Sequence, residues 1–259
     1  MTDSIIHQYT LVDGVKAFST TRKGGVSKGS YGTMNINPFC GDDEEAVAQN
    51  RQILADTLEV DASRIILPHQ VHGIESRMIA EEFLQLPESI RHQLLEGVDA
   101  VMTNVSGVCI GVSTADCIPV LLYDAAHHAV AAVHAGWRGT LNHIVLKVVR
   151  EMGVMFHTAP KDLKAIIGPG ISEANFEVGQ EVYDQFQTLN FDMDCIAKMH
   201  DKWHIDLPLC NRMQLEGAGI SAENILEAGI CTYDAVDTFF SARRLGKDSG
   251  RIYTGIVLA

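Results

Sequence analysis

Two histidines and one cysteine stand at the ends of apolar segments, beside glycine or aspartate, and their side chains are of the type that binds metals. They are His72 in PHQVHG, Cys117 in TADCIPVLLYD and His134 in AAVHAGWRGT. Imidazole and thiolate are preferred ligands of zinc and copper, and three protein ligands leave a fourth coordination position open. The three residues are far apart in the sequence and match no short metal-binding motif, so buried structural histidines and cysteine remain the alternative.

Two further titratable residues flank these positions. Asp116 directly precedes Cys117, and a carboxylate at that turn would serve either as a general acid or base or as a cap for the local backbone. His69 lies three residues before His72, and in a straight strand the two side chains would face opposite sides. A substrate contact and an ordinary surface histidine are therefore both open for His69.

Four arginines in loops or at a helix start are candidates for binding phosphate. The planar guanidinium group matches phosphate oxygens with two parallel hydrogen bonds. Arg138 is favoured because it follows His134 by only four residues, whereas surface salt bridges are the alternative for all four in a chain with 33 acidic residues. No phosphate-binding P-loop or dinucleotide-binding glycine motif is present. The four candidates are Arg22, Arg138, Arg243 and Arg244.

Strands and helices that alternate along the chain must position these side chains. Short apolar runs separated by Gly, Asp and Asn predict buried strands, and amphipathic segments predict helices. Without regular βαβ units, this alternation predicts an α/β or α+β fold with mixed sheets layered with helices. No repeat or linker interrupts residues 1–259, which we expect to form a single domain. The predicted strands are 15–21, 99–104, 107–113, 117–124, 128–136, 163–168, 225–231 and 251–259, and the predicted helices are 141–153, 177–189 and 205–219.

Two other segments are predicted to be helical. One helix begins after Asp42 or Asp43, since either carboxylate can cap its first turn. The charged segment Glu81–Glu96 is expected to form an inserted helical excursion.

Composition excludes several classes of protein. Twenty Lys and Arg against 33 Asp and Glu give a net charge of −13, which argues against binding to nucleic acid or to an anionic membrane. The N-terminus has no basic and apolar signal segment, and no apolar run is long enough to span a membrane. The six cysteines form no CxxC pair, as is typical of reduced thiols. A soluble, cytoplasmic protein is expected.

Several long motifs in order make the chain similar to the YfiH, or laccase-domain, family. They are TTRKGGVS, HQVHG, ADCIPVLLYD, HAGWRGT, GPGISEANFEVGQEVY and FFSARRLGKDSGR. The resemblance extends over nearly the whole chain and implies the fold of that family, with a metal, usually zinc, bound by His72, Cys117 and His134. Copper is the alternative metal. The stretch between HQVHG and DAVMT is longer here than in the family.

The resemblance also implies an activity. Members were first described as multicopper polyphenol oxidases and are now described as purine nucleoside phosphorylases that act on adenosine, inosine and S-methyl-5′-thioadenosine. The products would be the free base and a sugar 1-phosphate. The resemblance also implies adenosine deamination as a side activity, and a monomer or homodimer as the assembly. On this interpretation the catalytic residues are Cys117, Asp116 and Arg138, and the substrate-binding residues are Arg22, His69, Arg243 and Arg244.

Three other functions stay open from the residues. A four-copper laccase needs paired HxH motifs, and none of the 11 histidines forms one, so copper oxidation is the weaker interpretation. Cys117 and His134 would also suit a cysteine hydrolase. Finally, the metal would have only a structural role in a non-catalytic binding protein.

Overall fold

Two β-sheets lie face to face, and helices cover the outer side of each. The computed structural model describes residues 4–11 and 14–258. Ala259, the last residue of the predicted terminal strand, lies outside the described residues. The resulting layers confirm the predicted mixed α/β class with helices on sheets.

The strands and helices are numbered along the chain. The strands are β1 Ile6–Tyr9, β2 Val15–Thr20, β3 Ile65–Ile66, β4 Ser76–Met78, β5 Ala100–Thr103, β6 Cys109–Thr114, β7 Ile118–Asp124, β8 Ala129–Ala135, β9 Leu163–Ile167, β10 Glu177–Val178, β11 Ala197–Met199, β12 Trp203–Ile205, β13 Ile225–Glu227 and β14 Ile252–Leu258. The helices are α1 Glu44–Leu58, α2 Glu81–Leu84, α3 Glu88–Leu94, α4 Trp137–Leu141, α5 Ile144–Phe156, α6 Gln180–Thr188, α7 Met193–Ile196, α8 Leu207–Gly217 and α9 Ala242–Leu245. Short 3-10 turns occupy Gly29–Tyr31, Ala62–Arg64, Pro160–Asp162, Glu173–Asn175 and Ala222–Asn224.

The first sheet has the strand order β1-β2-β14-β6-β3 and the second has β13-β9-β7-β8-β5-β4. Neighbouring strands are antiparallel except β3 beside β6, β4 beside β5 and β13 beside β9. Most predicted strands are therefore confirmed, and the C-terminal β14 lies in the middle of the first sheet.

The main core lies on both faces of the second sheet. On one face its side chains pack against α5 and α8. On the other face Leu121 and Ile166 meet Ile110 and Ile256 of the first sheet. Because side chains alternate along a strand, the next residues of the first sheet point outward, and Phe18 packs there with α1.

Several helix predictions are confirmed and two are corrected. Asp43, not Asp42, caps α1 by accepting the backbone N–H of Ala46 at 2.9 Å. The predicted helix 141–153 is broken, because His143 adopts a left-handed φ of 58° between α4 and α5. The excursion 81–96 consists of two short helices, α2 and α3. No helix within the described residues is long and apolar enough to cross a membrane.

The helix predicted over 177–189 is wrong at its start. Residues 177 and 178 begin no helix; they form β10, which pairs with β12 in a third sheet of order β10-β12-β11. Strands of two or three residues are too short to show an alternating pattern, so nothing in the sequence indicated this sheet.

We expect Gly111→Ala to destabilise the protein. A methyl group at this central position of β6 would lie 2.6 Å from the Tyr253 hydroxyl and 2.7 Å from the Thr254 carbonyl oxygen. Overpacking of this kind costs about 1–3 kcal/mol in the free energy of unfolding, which urea denaturation measures.

Gly217→Ala at the end of α8 is the matched control, because nothing lies within 4 Å of the added methyl. It should leave stability unchanged or raise it by up to about 1 kcal/mol. Equal stability of the two variants would contradict the close packing of β6 on β14.

Candidate active site

The side chains of His72, Cys117 and His134 converge, and their ligand atoms all lie within 4.8 Å of one another. Cys117 directly precedes β7, and His134 is the second-last residue of β8. In the antiparallel pair β7–β8, Ile118 lies opposite Ala135, so the register itself places the cysteine beside the histidine. His72 approaches from the loop before β4, with a left-handed φ of 61°.

The carboxylate of Asp99, which is fully buried, holds two of these elements together. Its Oδ1 lies 2.7 Å from Nδ1 of His134. The same carboxylate accepts backbone N–H groups from His72 at 3.0 Å and from Gly73 at 2.7 Å. Nδ1 of His134 donates a hydrogen bond to this carboxylate, so Nε2 carries the free lone pair when the ring is neutral, as in metal-bound histidines.

Cys117 and His134 shift each other's pKa in opposite directions. Burial raises the pKa of Cys117, but the neighbouring His134 and His72 outweigh burial and lower the pKa to about 6. Burial lowers the pKa of His134, but the charge of Cys117 and the hydrogen bond to Asp99 raise it to about 9. The thiol therefore ionises near neutral pH, and the thiolate is the form that ligates metals.

Gly136 leaves the space in front of the three ligand atoms open. A Cβ atom there would lie 3.0 Å from Cδ2 of His72 and 3.1 Å from Sγ of Cys117. This set of donors fits a zinc ion with one free coordination position: two imidazoles, one thiolate and a supporting carboxylate. The same donors also suit copper.

Asp116 anchors the backbone beside the cysteine. Its Oδ1 accepts the Thr232 hydroxyl at 2.7 Å and its Oδ2 accepts the backbone N–H of Arg243 at 2.6 Å. Of the two roles left open by the sequence, this geometry is that of a backbone cap. It fixes the start of α9 next to the ligand-bearing turn, and the acid–base role stays a prediction.

The candidate arginines differ in what their guanidinium groups contact. Arg22 donates to the carbonyl oxygens of Gly32 and Val236. The guanidinium of Arg244 donates to the carbonyl oxygen of Tyr233, and that of Arg243 donates to two carbonyl oxygens of the segment 175–177. These contacts place all three in structural networks, so their substrate-binding role stays a prediction.

Arg138 is exposed, and its guanidinium stacks over the Trp137 ring at 4.2 Å. No described residue accepts a hydrogen bond from this guanidinium. The N–H donors of Arg138 are therefore free for a ligand. In Arg22, Arg243 and Arg244, by contrast, some of these donors are bound to backbone carbonyl oxygens.

His69 lies outside the three-residue cluster. Its Nδ1 contacts the Glu96 carboxylate at 2.8 Å, and its ring stacks on Phe39 with centroids 4.3 Å apart. Glu96 belongs to the charged segment 81–96, so this segment contacts the loop that carries His72. A substrate contact by His69 stays a prediction.

Sequence reasoning missed Asp99 and the role of Gly136. The signal for Asp99 was a carboxylate at the start of the apolar run DAVMT, where a buried charge requires partners. The partners are the N–H groups and the imidazole of two other chain segments, and no sequence pattern names them.

Asp99→Asn should weaken both the fold and the metal site. The amide nitrogen would face backbone N–H groups that now meet a charged oxygen, which costs about 3 kcal/mol of stability. Loss of the carboxylate behind a ligating histidine should lower zinc affinity about ten- to a hundredfold. Urea denaturation and competition with a zinc chelator measure the two effects.

Asp124→Asn is the control. Asp124 is equally buried and accepts backbone N–H groups at the opposite end of β7. It should lose stability without losing zinc affinity. Equal loss of zinc affinity in both variants would contradict the role of Asp99.

Comparison with known proteins finds relatives over nearly the whole chain. A family model described as multi-copper polyphenol oxidoreductase laccase matches residues 16–259. A protein of Bacteroides thetaiotaomicron named purine nucleoside phosphorylase is 44% identical over 247 residues, which are 94% of this chain and 92% of that protein. A protein of an unknown prokaryotic organism named adenosine deaminase RL5 is 42% identical over 248 residues, which are 95% of this chain and 94% of that protein.

A solved structure shows the same fold. The crystal structure of Bacillus licheniformis hypothetical protein YfiH is similar to this chain with a TM-score of 0.87 and 28% sequence identity, over 95% of this chain and 93% of that one. The family model, the curated relatives and this structure agree over nearly the whole length. The chain therefore belongs to the YfiH, or laccase-domain, family.

Proposed function

We propose that this protein is a purine nucleoside phosphorylase whose metal, zinc, is held by His72, Cys117 and His134. It would convert adenosine, inosine and S-methyl-5′-thioadenosine, with inorganic phosphate, to the free base and the corresponding sugar 1-phosphate. The proposal includes a single domain over residues 1–259 and a cytoplasmic monomer or homodimer. The charge of −13 supports a small-molecule enzyme over one that binds nucleic acid or membranes.

The observation that carries the proposal is the convergence of three metal-binding side chains at an open position. His72 is exposed, and Gly136 places no side chain beside His72 and the Cys117 sulfur. A purely structural metal site is usually closed by four protein ligands, whereas three ligands and an open side suit catalysis. The names of the relatives at 44% and 42% identity add nucleoside chemistry to this geometry.

Phosphorolysis requires phosphate beside the anomeric carbon of the nucleoside. A phosphate oxygen forms a bond to C1′, the bond from C1′ to the base nitrogen breaks, and the base leaves with the electron pair and takes up a proton. Arg138 supports this step, because its guanidinium is exposed, lies four residues from His134 and has its donors free. Bidentate bonds to phosphate would hold the nucleophile and offset its charge.

Other residues would hold the substrate and the site. Asp116 positions the start of α9, which carries Arg243 and Arg244, and a contact of these arginines with the nucleoside or phosphate is part of the proposal. Arg22 and His69 would contribute to the rim. A bound zinc ion would supply Lewis acidity at the cleft.

Adenosine deamination is a second candidate activity, favoured by the relative named adenosine deaminase RL5. In that reaction water attacks C6 of the purine and ammonia leaves. The same cleft would have to admit the base edge instead of the ribose and phosphate. Copper-dependent oxidation of polyphenols and hydrolysis by a Cys117 nucleophile are the alternatives. The metal content of the protein distinguishes them, because the first requires copper and the second requires a cysteine free of metal.

Dependence on phosphate distinguishes phosphorolysis from hydrolysis. Inosine cleavage should require phosphate and yield hypoxanthine with ribose 1-phosphate. Arg138→Lys keeps the charge but loses the bidentate fork, so apparent phosphate affinity should fall roughly ten- to a hundredfold, with a smaller effect on nucleoside affinity. Phosphate titrations at saturating inosine measure this change.

The matched control is Arg150→Lys, an exposed arginine of α5, which should leave the phosphate titration unchanged. Equal turnover without phosphate, with free ribose as product, would contradict phosphorolysis. An unchanged phosphate titration with lower stability in Arg138→Lys would assign that residue a structural role.

The metal content of the purified protein tests the proposed zinc site. Protein purified without added metal should contain about one tightly bound zinc per chain, and Cys117→Ala and His134→Ala should lose both zinc and activity while remaining folded. Elemental analysis, circular dichroism and product assays measure these outcomes.

Full turnover by a folded Cys117→Ala variant would contradict a catalytic metal site. Absence of metal from active protein, with Cys117 readily alkylated, would favour the cysteine hydrolase.

A further inference from the structure

A second cluster of metal-binding side chains lies on the small third sheet, where the proposed reaction uses no residue. Among the described residues, Glu173, His200 and His204 place their ligand atoms within 4.8 Å of one another. The two imidazole rings are edge to face with centroids 4.9 Å apart. Nε2 of His200 lies 3.4 Å from Oε1 of Glu173.

A hydrogen bond to the backbone fixes the tautomer of His204. Its Nδ1 lies 2.9 Å from the carbonyl oxygen of Glu173. A carbonyl oxygen only accepts, so Nδ1 must carry the proton, and in the neutral ring Nε2 then carries a free lone pair. This is the arrangement that orients ligating histidines in metal sites, and it parallels the bond from His134 to Asp99.

The backbone holds two of the three groups rigidly. His204 lies on the middle strand β12, opposite Glu177 of β10 on one side and Lys198 of β11 on the other. Glu173 belongs to a 3-10 turn, and only 14% of its side chain is exposed. His200 lies in the turn between β11 and β12 with 56% of its side chain exposed, so an ion has access from solvent.

The charges around the cluster favour an ionised carboxylate. A hydrogen bond from Lys198 lowers the pKa of Glu173, with a smaller contribution from His200. Lys198 contacts Oε2 of Glu173 at 2.8 Å, and the other carboxylate oxygen, Oε1, faces His200. The lysine side chain is 66% exposed, and an exposed ion pair of this kind is weak enough for a divalent ion to displace.

We propose that Glu173, His200 and His204 form a second, independent binding site for a divalent transition-metal ion of the zinc type. Two imidazoles and one carboxylate are an established zinc ligand set that leaves one position open. The site would be weaker than the cysteine site, because it is more exposed and because Lys198 competes for the carboxylate.

Occupancy of this site has a structural consequence. Glu173 opens the segment whose carbonyl oxygens, at Asn175 and Glu177, accept the guanidinium of Arg243 at 3.4 and 3.1 Å. An ion bound to Glu173 and to the hairpin of β11 and β12 would add a second link between this segment and the third sheet, beside the pairing of β10 with β12. The bound ion would thereby hold in place the two carbonyl oxygens that accept the Arg243 guanidinium.

Cobalt(II) added to protein that holds one zinc per chain tests the proposal. Cobalt in the second site should give visible d–d absorption without the near-ultraviolet thiolate charge-transfer band that a Cys117 ligand would produce. One equivalent of cobalt per chain should bind in addition to the zinc. His200→Ala and His204→Ala should each lower that affinity by at least about a hundredfold, since even loss of a supporting residue costs ten- to a hundredfold.

Two further variants sharpen the test. His92→Ala removes another exposed histidine, which contacts the Glu88 carboxylate but belongs to no three-residue cluster of ligands among the described residues, and should leave cobalt binding unchanged. Lys198→Ala removes the competing cation and should tighten cobalt binding by up to about fivefold. A network of surface ion pairs without a metal site would lose stability in Lys198→Ala and gain no affinity.

Cobalt binding that is equal in the wild type, His200→Ala and His204→Ala would overturn the proposal, as would a thiolate charge-transfer band for the added equivalent. His200 is mostly exposed, so His200→Ala keeps the fold and the test decisive even where His204→Ala disturbs the hairpin. Neither result depends on the phosphorolysis assays, since the readout is metal binding alone.

Discussion

The buried carboxylate of Asp99 is the interaction on which the candidate site depends. A charge without solvent contact is costly unless hydrogen bonds surround it. Here the His134 imidazole and the backbone N–H groups of the loop 71–73 provide those bonds. The same carboxylate thereby fixes the ring of one ligand and the loop that carries another. The metal-binding geometry and the satisfaction of this buried charge are a single structural requirement.

The remaining ligand follows from sheet topology. Cys117 meets His134 because β7 and β8 pair with Ile118 opposite Ala135, and a slip of one residue would turn the histidine to the other face of the sheet. Asp116 then connects this turn to the start of α9 from the C-terminal part of the chain. Distant parts of the chain are thus brought to one edge of the second sheet.

The two histidine clusters use one device in different surroundings. In each, a histidine Nδ1 donates to an oxygen, of Asp99 in one case and of the Glu173 backbone in the other. The first cluster contains a buried histidine, His134, and a cysteine whose pKa falls to about 6 through its histidine neighbours. The second has no cysteine and shares its carboxylate with Lys198. The buried histidine and the thiolate would therefore favour tight binding at the first cluster, and the competing lysine exchangeable binding at the second.

The sequence by itself predicted the strand that follows Cys117 and the strand that carries His134, because short apolar runs bounded by Gly and Asp are typical of buried strands. It also singled out the three ligands by residue type, and family resemblance grouped them. Only the tertiary structure decided the role of Asp99, the break at His143 and the third sheet with its histidine cluster. Asp99 and His134 are 35 residues apart, and Glu173 and His204 are 31 apart. Local patterns record propensity and burial over a few residues, whereas these contacts depend on which strands pair and in which register.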